Sequence, residues 1–213
     1  MEIGYWDLDI GHWVLILYNN CMLKIVQVPH KVLTSSTKQV EVIDDKIKKL
    51  IYDMEETLIA QVDPQGVGLA ATQVGYSLAL FIMRPSPKSK TEVCINPRIV
   101  KISPSESEGQ SRSVKSVRAD STDSTDSTDS THKLEGCLSI PRIWGPVKRP
   151  QKVLMEYQDL TGEKHSKWFT GFKATIVQHE VDHLQGILFT QRALEQKTTL
   201  YEEKDGELEK MKY

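Results

Sequence analysis

The stretch Phe172-Lys-Ala-Thr-Ile-Val-Gln-His-Glu-Val-Asp-His-Leu-Gln-Gly186 carries the strongest indication of both structure and chemistry in this chain. Thr170 can cap a helix at its start and Gly186 can end it, so we expect a short helix with a His-Glu-Val-Asp-His motif in its last two turns. Residues four apart share one face of a helix, so His179 and His183 can reach one metal ion. Glu180 leaves the axis beside them, placed to accept a proton from metal-bound water.

A simpler alternative for this stretch is a helix with two surface histidines. The apolar neighbours Ile176, Val177 and Leu184 favour a buried helix instead. Unpaired charged groups would be costly on a buried helix, so the metal site is the better hypothesis.

A catalytic metal site needs another ligand, because hydrolytic zinc sites usually supply three protein ligands and leave one position for water. The best candidate is Cys137, in Glu135-Gly-Cys-Leu-Ser-Ile-Pro141. The glycine and the proline suit a thiolate presented from a shaped loop. For Cys137 taken alone, an inert buried cysteine is the more frequent case.

The segment Gly66-Val-Gly-Leu-Ala-Ala-Thr-Gln-Val-Gly75 is rich in small residues, which let the backbone approach another chain or a ligand closely. Phosphate binding is disfavoured, because the segment lacks both the P-loop lysine and the strand and helix that flank such a loop. Considered alone, it could equally be a tight turn.

Length and composition limit the class of protein. With 213 residues, 24.2 kDa and a net charge of −2, the sequence predicts a single catalytic domain without a basic stripe for nucleic acid. The cysteines Cys21, Cys94 and Cys137 are widely spaced and odd in number, which indicates reduced thiols and a cytoplasmic compartment. The apolar stretch near the start, residues 13–18, is too short for a signal core or a membrane span.

The pattern along the chain favours an α+β fold. Strand-like alternation begins at residues 22–28, and Asp44 or Asp45 can cap a helix with apolar positions at helical spacing. Short strands are expected at 78–83 and 93–96, and a hairpin at 152–157 and 164–169. Many short strands with few helices between them argue for α+β over a doubly wound parallel sheet. The apolar helix positions are Ile47, Leu50, Ile51, Met54 and Leu58.

The sequence divides into an extension at residues 1–21, a catalytic domain at 22–195 and a charged C-terminal tail at 196–213. Within the domain, residues 103–132 are rich in Ser, Thr and Asp and include four consecutive Asp-Ser-Thr triplets from Asp120. Such a segment buries too little surface to offset its ordering entropy, so we expect a disordered inserted loop. A tolerated repeat expansion is favoured over phosphorylation sites or a cation-binding role.

Taken together, the three motif segments resemble the signature motifs of the peptide deformylase family. They occur in the family's order at Gly66–Gln73, Glu135–Ser139 and Gln178–Leu184, and the resemblance covers about residues 22–195. It implies an α+β fold with antiparallel β-sheets packed around a central helix that carries the HExxH motif. It also implies a metal-dependent hydrolase that removes the formyl group from the N-terminal formyl-methionine of new polypeptides and releases formate.

The resemblance also assigns roles residue by residue. It implies that Cys137, His179 and His183 bind the metal and that Glu180 is the catalytic acid and base. The Gln73 amide and the backbone N–H of Leu138 match the groups that stabilise the oxyanion. The positions that match substrate contacts are Val67, Gly68, Glu135 and Arg149.

Ligand types alone suggest zinc, whereas the resemblance implies Fe(II), with zinc, nickel or cobalt able to substitute. The implied partners are formyl-methionyl nascent peptides, with the ribosome as one place of encounter, and neither nucleic acid nor membrane is expected. The inserted loop and the first 21 residues depart from the family pattern without interrupting a motif.

Two other function classes remain open. A thermolysin-like metallo-endopeptidase would take its third ligand from Glu202 or Glu203, but the stretch from Glu195 is mostly charged and predicts a solvated helix or tail. A metal-binding interaction module would normally close its site with four protein ligands, and the remaining histidines offer no convincing fourth.

Overall fold

The structure is a computed structural model that describes residues 22–103 and 134–212. These residues contain three α-helices and nine strands, joined by short 3-10 turns at Lys31–Thr34 and Ala71–Val74. The helices are α1 (Asp45–Ile59), α2 (Gly171–Leu184) and α3 (Phe189–Glu195). The strands are β1 (Gly68–Ala70), β2 (Leu80–Met83), β3 (Glu92–Ile102), β4 (Leu134–Cys137), β5 (Ile140–Pro146), β6 (Lys152–Gln158), β7 (Lys164–Thr170), β8 (Tyr201–Lys204) and β9 (Glu207–Lys210).

The strands form two sheets in which every neighbouring pair is antiparallel. The first sheet has the order β1-β2-β3-β6-β7, and the second has the order β4-β5-β8-β9. Antiparallel sheets with few helices confirm the α+β class that the sequence predicts. The hairpin expected at 152–157 and 164–169 is present as β6 and β7, in continuous register.

The first sheet is covered by a helix on each face. Successive side chains of a strand point to opposite faces, and β2 shows this directly. Phe81 and Met83 pack in the same cluster as the α2 residues, whereas Leu80 and Ile82 pack with α1. Strand β2 is therefore buried on both faces, which explains its continuous apolar sequence.

Both predicted helices are present at the expected places. The Asp44 carboxylate accepts a hydrogen bond from the Ile47 N–H and caps α1, as the sequence predicts. Thr170 holds the N-cap position of α2, but its side chain makes no capping hydrogen bond. At the other end, Gly186 follows α2 with a φ of 74°, a left-handed conformation that favours glycine.

The strand predicted at residues 22–28 is not formed. This segment instead makes single backbone hydrogen bonds, from Val26 N–H to the Gln73 carbonyl at 2.8 Å and from Val28 N–H to the Ser139 carbonyl at 3.1 Å. The backbone N–H groups of this segment therefore bond to two separate neighbours and do not form a continuous strand ladder. The segment thereby joins the Gly66–Gln73 and Glu135–Ser139 motifs.

The charged tail predicted from residue 196 also differs from the structure. Residues 201–210 form the hairpin β8-β9, which extends the second sheet because Trp144 of β5 pairs with Tyr201 of β8. Charged side chains are common on exposed edge ribbons, where they discourage further strand pairing. High charge alone therefore did not exclude strands here.

Two predicted segments, the extension at 1–21 and residues 104–132 of the inserted loop, lie outside the described residues. In the part of the chain that the structure describes, none of the helices has the length and apolar content that a transmembrane span requires.

We expect Gly186→Ala to lower the free energy of unfolding by more than 2 kcal/mol, of which roughly 1–2 kcal/mol comes from the left-handed backbone alone. The rest comes from overlap, because a Cβ at Gly186 would lie 2.6 Å from the carbonyl carbon of Thr34. Gly206→Ala is the matched control, since Gly206 has a φ of 84° but no heavy atom within 4 Å of an added Cβ. Urea unfolding measures both, and equal losses would show that the overlap is relieved without cost.

Candidate metal centre

Cys137, His179 and His183 converge on one point of the structure. Their candidate ligand atoms all lie within 4.8 Å of one another, and Cys137 Sγ is 3.2 Å from His183 Nε2. All three side chains are largely buried, with His183 only 1% exposed. One thiolate and two imidazoles form a donor set suited to a divalent transition metal.

The β4-β5 hairpin brings the cysteine to the helix. Cys137 is the last residue of β4 and precedes the tight turn at Leu138 and Ser139, and the pairing shifts register between Gly136 and Cys137. This irregularity takes the thiol out of the regular ladder, as β-bulges often do beside functional groups. The histidines reach the same point because they are four residues apart on α2.

The surroundings of Cys137 favour the thiolate. Burial alone would raise the pKa of the thiol, but the positive charge of His183 and hydrogen bonds with both imidazoles lower the pKa to about 5. A thiolate is the form of cysteine that binds metals. Cys94 provides a contrast, since burial and the nearby Glu92 raise the pKa of that thiol well above its ordinary value.

Glu180 lies beside the three candidate ligands and is 3% exposed. Burial raises the pKa of its carboxyl to about 7, against the opposing charges of His179 and His183. A carboxyl with a pKa near neutrality can both accept and return a proton. Its Oε2 and the Nδ1 of His183 have no hydrogen-bond partner among the described residues.

Gln73 and Gly68 bring the first motif to the same place. The side-chain Oε1 of Gln73 accepts a hydrogen bond from the Ala70 N–H. This fixes the side-chain amide so that its Nε2 faces Cys137 Sγ at 3.4 Å and Ser139 Oγ at 3.3 Å. A Cβ at Gly68 would overlap Glu180 Oε1, so only glycine allows β1 to lie against this carboxylate.

Glu135 connects the cysteine strand to the helix. Its carboxylate lies 3.1 Å from His179 Nδ1, and burial is outweighed by hydrogen bonds from His179 and Arg149, so the pKa of Glu135 is lowered. Because a carboxylate only accepts hydrogen bonds, Nδ1 must carry a proton. This leaves Nε2 as the nitrogen of His179 that can bind a metal.

Arg149 is enclosed by carboxylates. Its guanidinium donates to Glu135 at 2.6 and 3.0 Å and to Asp182 at 2.8 Å, and its side chain is 7% exposed. Asp182 also accepts from Arg192 at 2.7 Å. Arg149 lines a separate cavity together with Gln178 and Asp182, and not the cavity that contains Glu180. Among the expected substrate-contact residues, Arg149 therefore contacts Glu135 directly, whereas Val67 and Gly68 line the cavity that contains Glu180.

The remaining expected site residues line one cavity of about 220 Å³ beside the candidate metal ligands. Val67, Gly68, Gln73, Glu135 and Leu138 all border it. Away from Cys137, His179 and Glu180, the walls of this cavity are mostly apolar. Such a cleft can bind the apolar side chain of a peptide while the terminus of that peptide reaches Cys137, His179 and Glu180.

The cavity also has walls that the sequence analysis missed. Phe172, Thr175 and Ile176 lie on the same face of α2 as His179 and Glu180, and their helical spacing from the motif could have identified them. Trp144 had no such signal, because its position depends on the pairing of β4 with β5.

We expect Arg149→Leu to lower the free energy of unfolding by about 3–5 kcal/mol, because it leaves two buried carboxylates without their shared partner. Arg98→Leu is the matched control, since Arg98 is 75% exposed and its partner Glu156 is 48% exposed. That change should cost less than about 1 kcal/mol. Urea unfolding of both variants tests this, and a small loss for Arg149→Leu would contradict the role of this residue as the central cation.

Comparison with known proteins identifies related sequences. The sequence model of the polypeptide deformylase family matches residues 22–199. The chain is 35% identical over 187 residues to the peptide deformylase of Desulfotalea psychrophila, covering 86% of this chain and 94% of that protein. It is 34% identical over 177 residues to the chloroplastic/mitochondrial peptide deformylase 1B of Arabidopsis thaliana, covering 82% of this chain and 55% of that protein.

Solved structures agree as well. The crystal structure of peptide deformylase from Thermotoga maritima matches with a TM-score of 0.64 at 31% identity and covers 81% of this chain and 97% of that one. A plant peptide deformylase matches with a TM-score of 0.64 at 32% identity, covering 82% and 84% of the two chains. Since both the sequence and the fold match over most of their length, the chain belongs to the peptide deformylase family, whose members are metalloenzymes.

Proposed function

We propose that this enzyme removes the formyl group from the N-terminal formyl-methionine of new polypeptides and releases formate. The observation that supports this most directly is the position of Glu180. It is a buried carboxyl with a pKa near neutrality, beside a thiol and two imidazoles, at one end of an apolar cleft. A cleft of this kind can accept a methionine side chain while the formyl group lies beside Glu180 and the candidate metal ligands.

We further propose that Cys137, His179 and His183 hold Fe(II), for which zinc, nickel or cobalt can substitute. The donor set fits such an ion, because its atoms lie within 4.8 Å of one another and the thiol has a lowered pKa. When bound, the ion acts as a Lewis acid that acidifies water and polarises the formyl carbonyl. The HExxH helix α2 is then the central element around which the site is built.

Glu180 performs the proton transfers in this proposal. It accepts a proton from the attacking water and returns it to the nitrogen that leaves with the peptide. Its raised pKa makes both steps accessible near neutral pH. Gly68 supports this role, because the absence of a side chain there lets the backbone close over the carboxylate.

Gln73 and the Leu138 N–H stabilise the negative charge that develops on the formyl oxygen. One such donor typically contributes about 3 kcal/mol to lowering the barrier. The fixed orientation of the Gln73 amide supports the assignment, since its Nε2 already faces the candidate ligand Cys137 at 3.4 Å. The donor is thus oriented before substrate arrives.

Val67, Gly68 and Glu135 border the proposed peptide-binding cleft. A related peptide deformylase from Acinetobacter baumannii has been solved with Met-Ala-Ser bound, and one from Synechococcus elongatus with actinonin. We infer that this chain binds formyl-methionyl nascent peptides in the same cleft, with the ribosome as the place of encounter and the cytoplasm as the compartment. We further propose that Arg149 contributes to peptide binding through Glu135, to which its guanidinium donates two hydrogen bonds.

We propose that residues 22–195 form the catalytic domain, preceded by an extension at 1–21 and interrupted by an insertion at 103–132. The match of the family to residues 22–199 supports these limits. The second sheet shows that the described residues after 195 also pack against this domain.

The endopeptidase alternative is not favoured. Glu203 Oε2 accepts a hydrogen bond from Trp144 Nε1 at 2.8 Å, and the side chain of Glu202 pairs with Lys204. Neither carboxylate belongs to the group that Cys137 forms with the two histidines.

Metal content distinguishes the deformylase assignment, in which Cys137 is a ligand, from the endopeptidase assignment, in which Glu203 is a ligand. We expect Cys137→Ala to lose most of the bound iron, because it removes one of three ligands and the only thiolate among them. Glu203→Gln should retain the wild-type stoichiometry. Anaerobic purification followed by elemental analysis measures this, and iron loss in Glu203→Gln with retention in Cys137→Ala would favour the endopeptidase.

Formate release tests the reaction itself. Anaerobically purified protein should release formate from formyl-Met-Ala-Ser, and Glu180→Ala should lower kcat by a factor on the order of 10²–10⁴ while retaining metal. Glu92→Ala, which changes a carboxylate outside the cleft, serves as the control. A metal-loaded wild-type protein that releases no formate would instead indicate an interaction module.

A further inference from the structure

The Trp144 indole forms part of the cleft wall beside the candidate ligand Cys137. Trp144 lies on β5 directly opposite Gly136 of β4, and its side chain borders the same cavity as Glu180. Its ring covers Gly136, because a Cβ there would lie 2.7 Å from Trp144 Cζ3 and 2.8 Å from Cε3. The glycine of the Glu-Gly-Cys motif thus leaves space for the indole in this chain.

The indole is held in place by a residue from the C-terminal hairpin. Trp144 Nε1 donates a hydrogen bond to Glu203 Oε2 at 2.8 Å. Glu203 lies on β8, beyond residue 199, where the match to the family sequence model ends. A hydrogen bond to a charged acceptor is stronger than one between neutral groups, so it can fix the orientation of the ring.

The indole lies close to the reacting end of the cleft. Gly136 directly precedes Cys137, and consecutive Cα atoms are about 3.8 Å apart. A peptide whose formyl group reaches Cys137 and Glu180 therefore has its following residues within reach of the indole, which borders the same cavity. The flat apolar ring offers those residues a stacking surface.

Resting on the proposed deformylase function, we propose that Trp144 determines specificity for the residue that follows formyl-methionine, and that Glu203 is its positioning residue. An aromatic or large apolar side chain at that position packs on the indole and is preferred. An acidic side chain gains no packing there and would be desolvated against an apolar ring in a cavity that two carboxyl groups, Glu135 and Glu180, also border. It is therefore disfavoured.

Steady-state kinetics on formyl-Met-X-Ser peptides, with X as Ala, Phe or Glu, tests the proposal. For wild type, kcat/KM should be about tenfold higher for X as Phe than for X as Glu. Trp144→Ala should remove most of this difference by raising KM for the Phe peptide, with little change in kcat. A uniform fall in kcat for all three peptides, with the preference intact, would overturn the role of Trp144.

Glu203 is tested by a matched set of variants. Glu203→Leu should lose a substantial part of the preference, whereas Glu203→Gln, which keeps an oxygen acceptor, should restore it. Glu202→Leu is the control, because its carboxylate pairs with Lys204 on the same strand and makes no bond to the indole. If Glu202→Leu and Glu203→Leu change the preference equally, Glu203 only stabilises the hairpin and the positioning role is overturned.

A spectroscopic measurement separates this proposal from the function on which it rests. The indole N–H resonance of Trp144, assigned by its absence in Trp144→Phe, should move upfield in Glu203→Leu and stay near its wild-type position in Glu203→Gln. It should also shift more on titration with the product peptide Met-Phe-Ser than with Met-Glu-Ser. If wild type releases no formate yet shows these shifts, the proposed reaction is wrong, but the proposed role of Trp144 and Glu203 in peptide selectivity is retained. If formate is released while the resonance responds neither to the Glu203 variants nor to the product peptides, only the proposed role of Trp144 and Glu203 is wrong.

Discussion

The hydrogen bond between the Glu135 carboxylate and His179 Nδ1 is the interaction on which the site depends. Cys137 belongs to the β4-β5 hairpin, whereas both histidines belong to α2, which packs on the other sheet. No continuous backbone ladder connects these two parts in the described residues. Glu135 joins them two residues before the cysteine, and Arg149 reinforces the connection by bonding both Glu135 and Asp182.

The buried polar side chains of α2 require hydrogen-bond partners from neighbouring segments. Helix α2 carries buried polar side chains at Gln178, Glu180, Asp182 and His183, and each such group needs a partner. Gln178 donates to the carbonyls of Pro150 and Ala174, and Asp182 is enclosed by two arginines. The unpartnered atoms on the described part of this helix are Glu180 Oε2 and His183 Nδ1. The unpaired side-chain atoms therefore belong to Glu180 and His183, whereas the buried Gln178 and Asp182 beside them are hydrogen-bonded.

The local parts of this arrangement could be predicted from sequence, and the long-range parts could not. The span of α2, the Asp44 cap of α1 and the convergence of Cys137 with the two histidines follow from spacing or from motif resemblance. The enclosure of Arg149 by Glu135 and Asp182 depends on the tertiary packing of three separate segments, so the sequence alone could not predict these ion pairs.

The other differences between the sequence predictions and the structure concern strand pairing. Residues 22–28 have the alternation of a strand but find two separate partners, and residues 201–210 have the charge of a tail but find a free strand edge beside β5. Neither outcome can be derived from local propensity, because strand stability depends on the neighbour that is available. The roles of Gln73, Leu138 and the metal ligands remain predictions until their variants are measured.

The addition of β8 to β5 has a consequence for how the protein matures. During synthesis the strand that carries Trp144 emerges about sixty residues before its outer neighbour, as the numbering of β5 and β8 shows. Until residues 201–204 leave the ribosome, β5 presents unsatisfied amide and carbonyl groups along one side, a template for pairing with other chains. Pairing of β5 with β8, and with it the hydrogen bond from Trp144 to Glu203, thus forms only after residues 201–204 have left the ribosome.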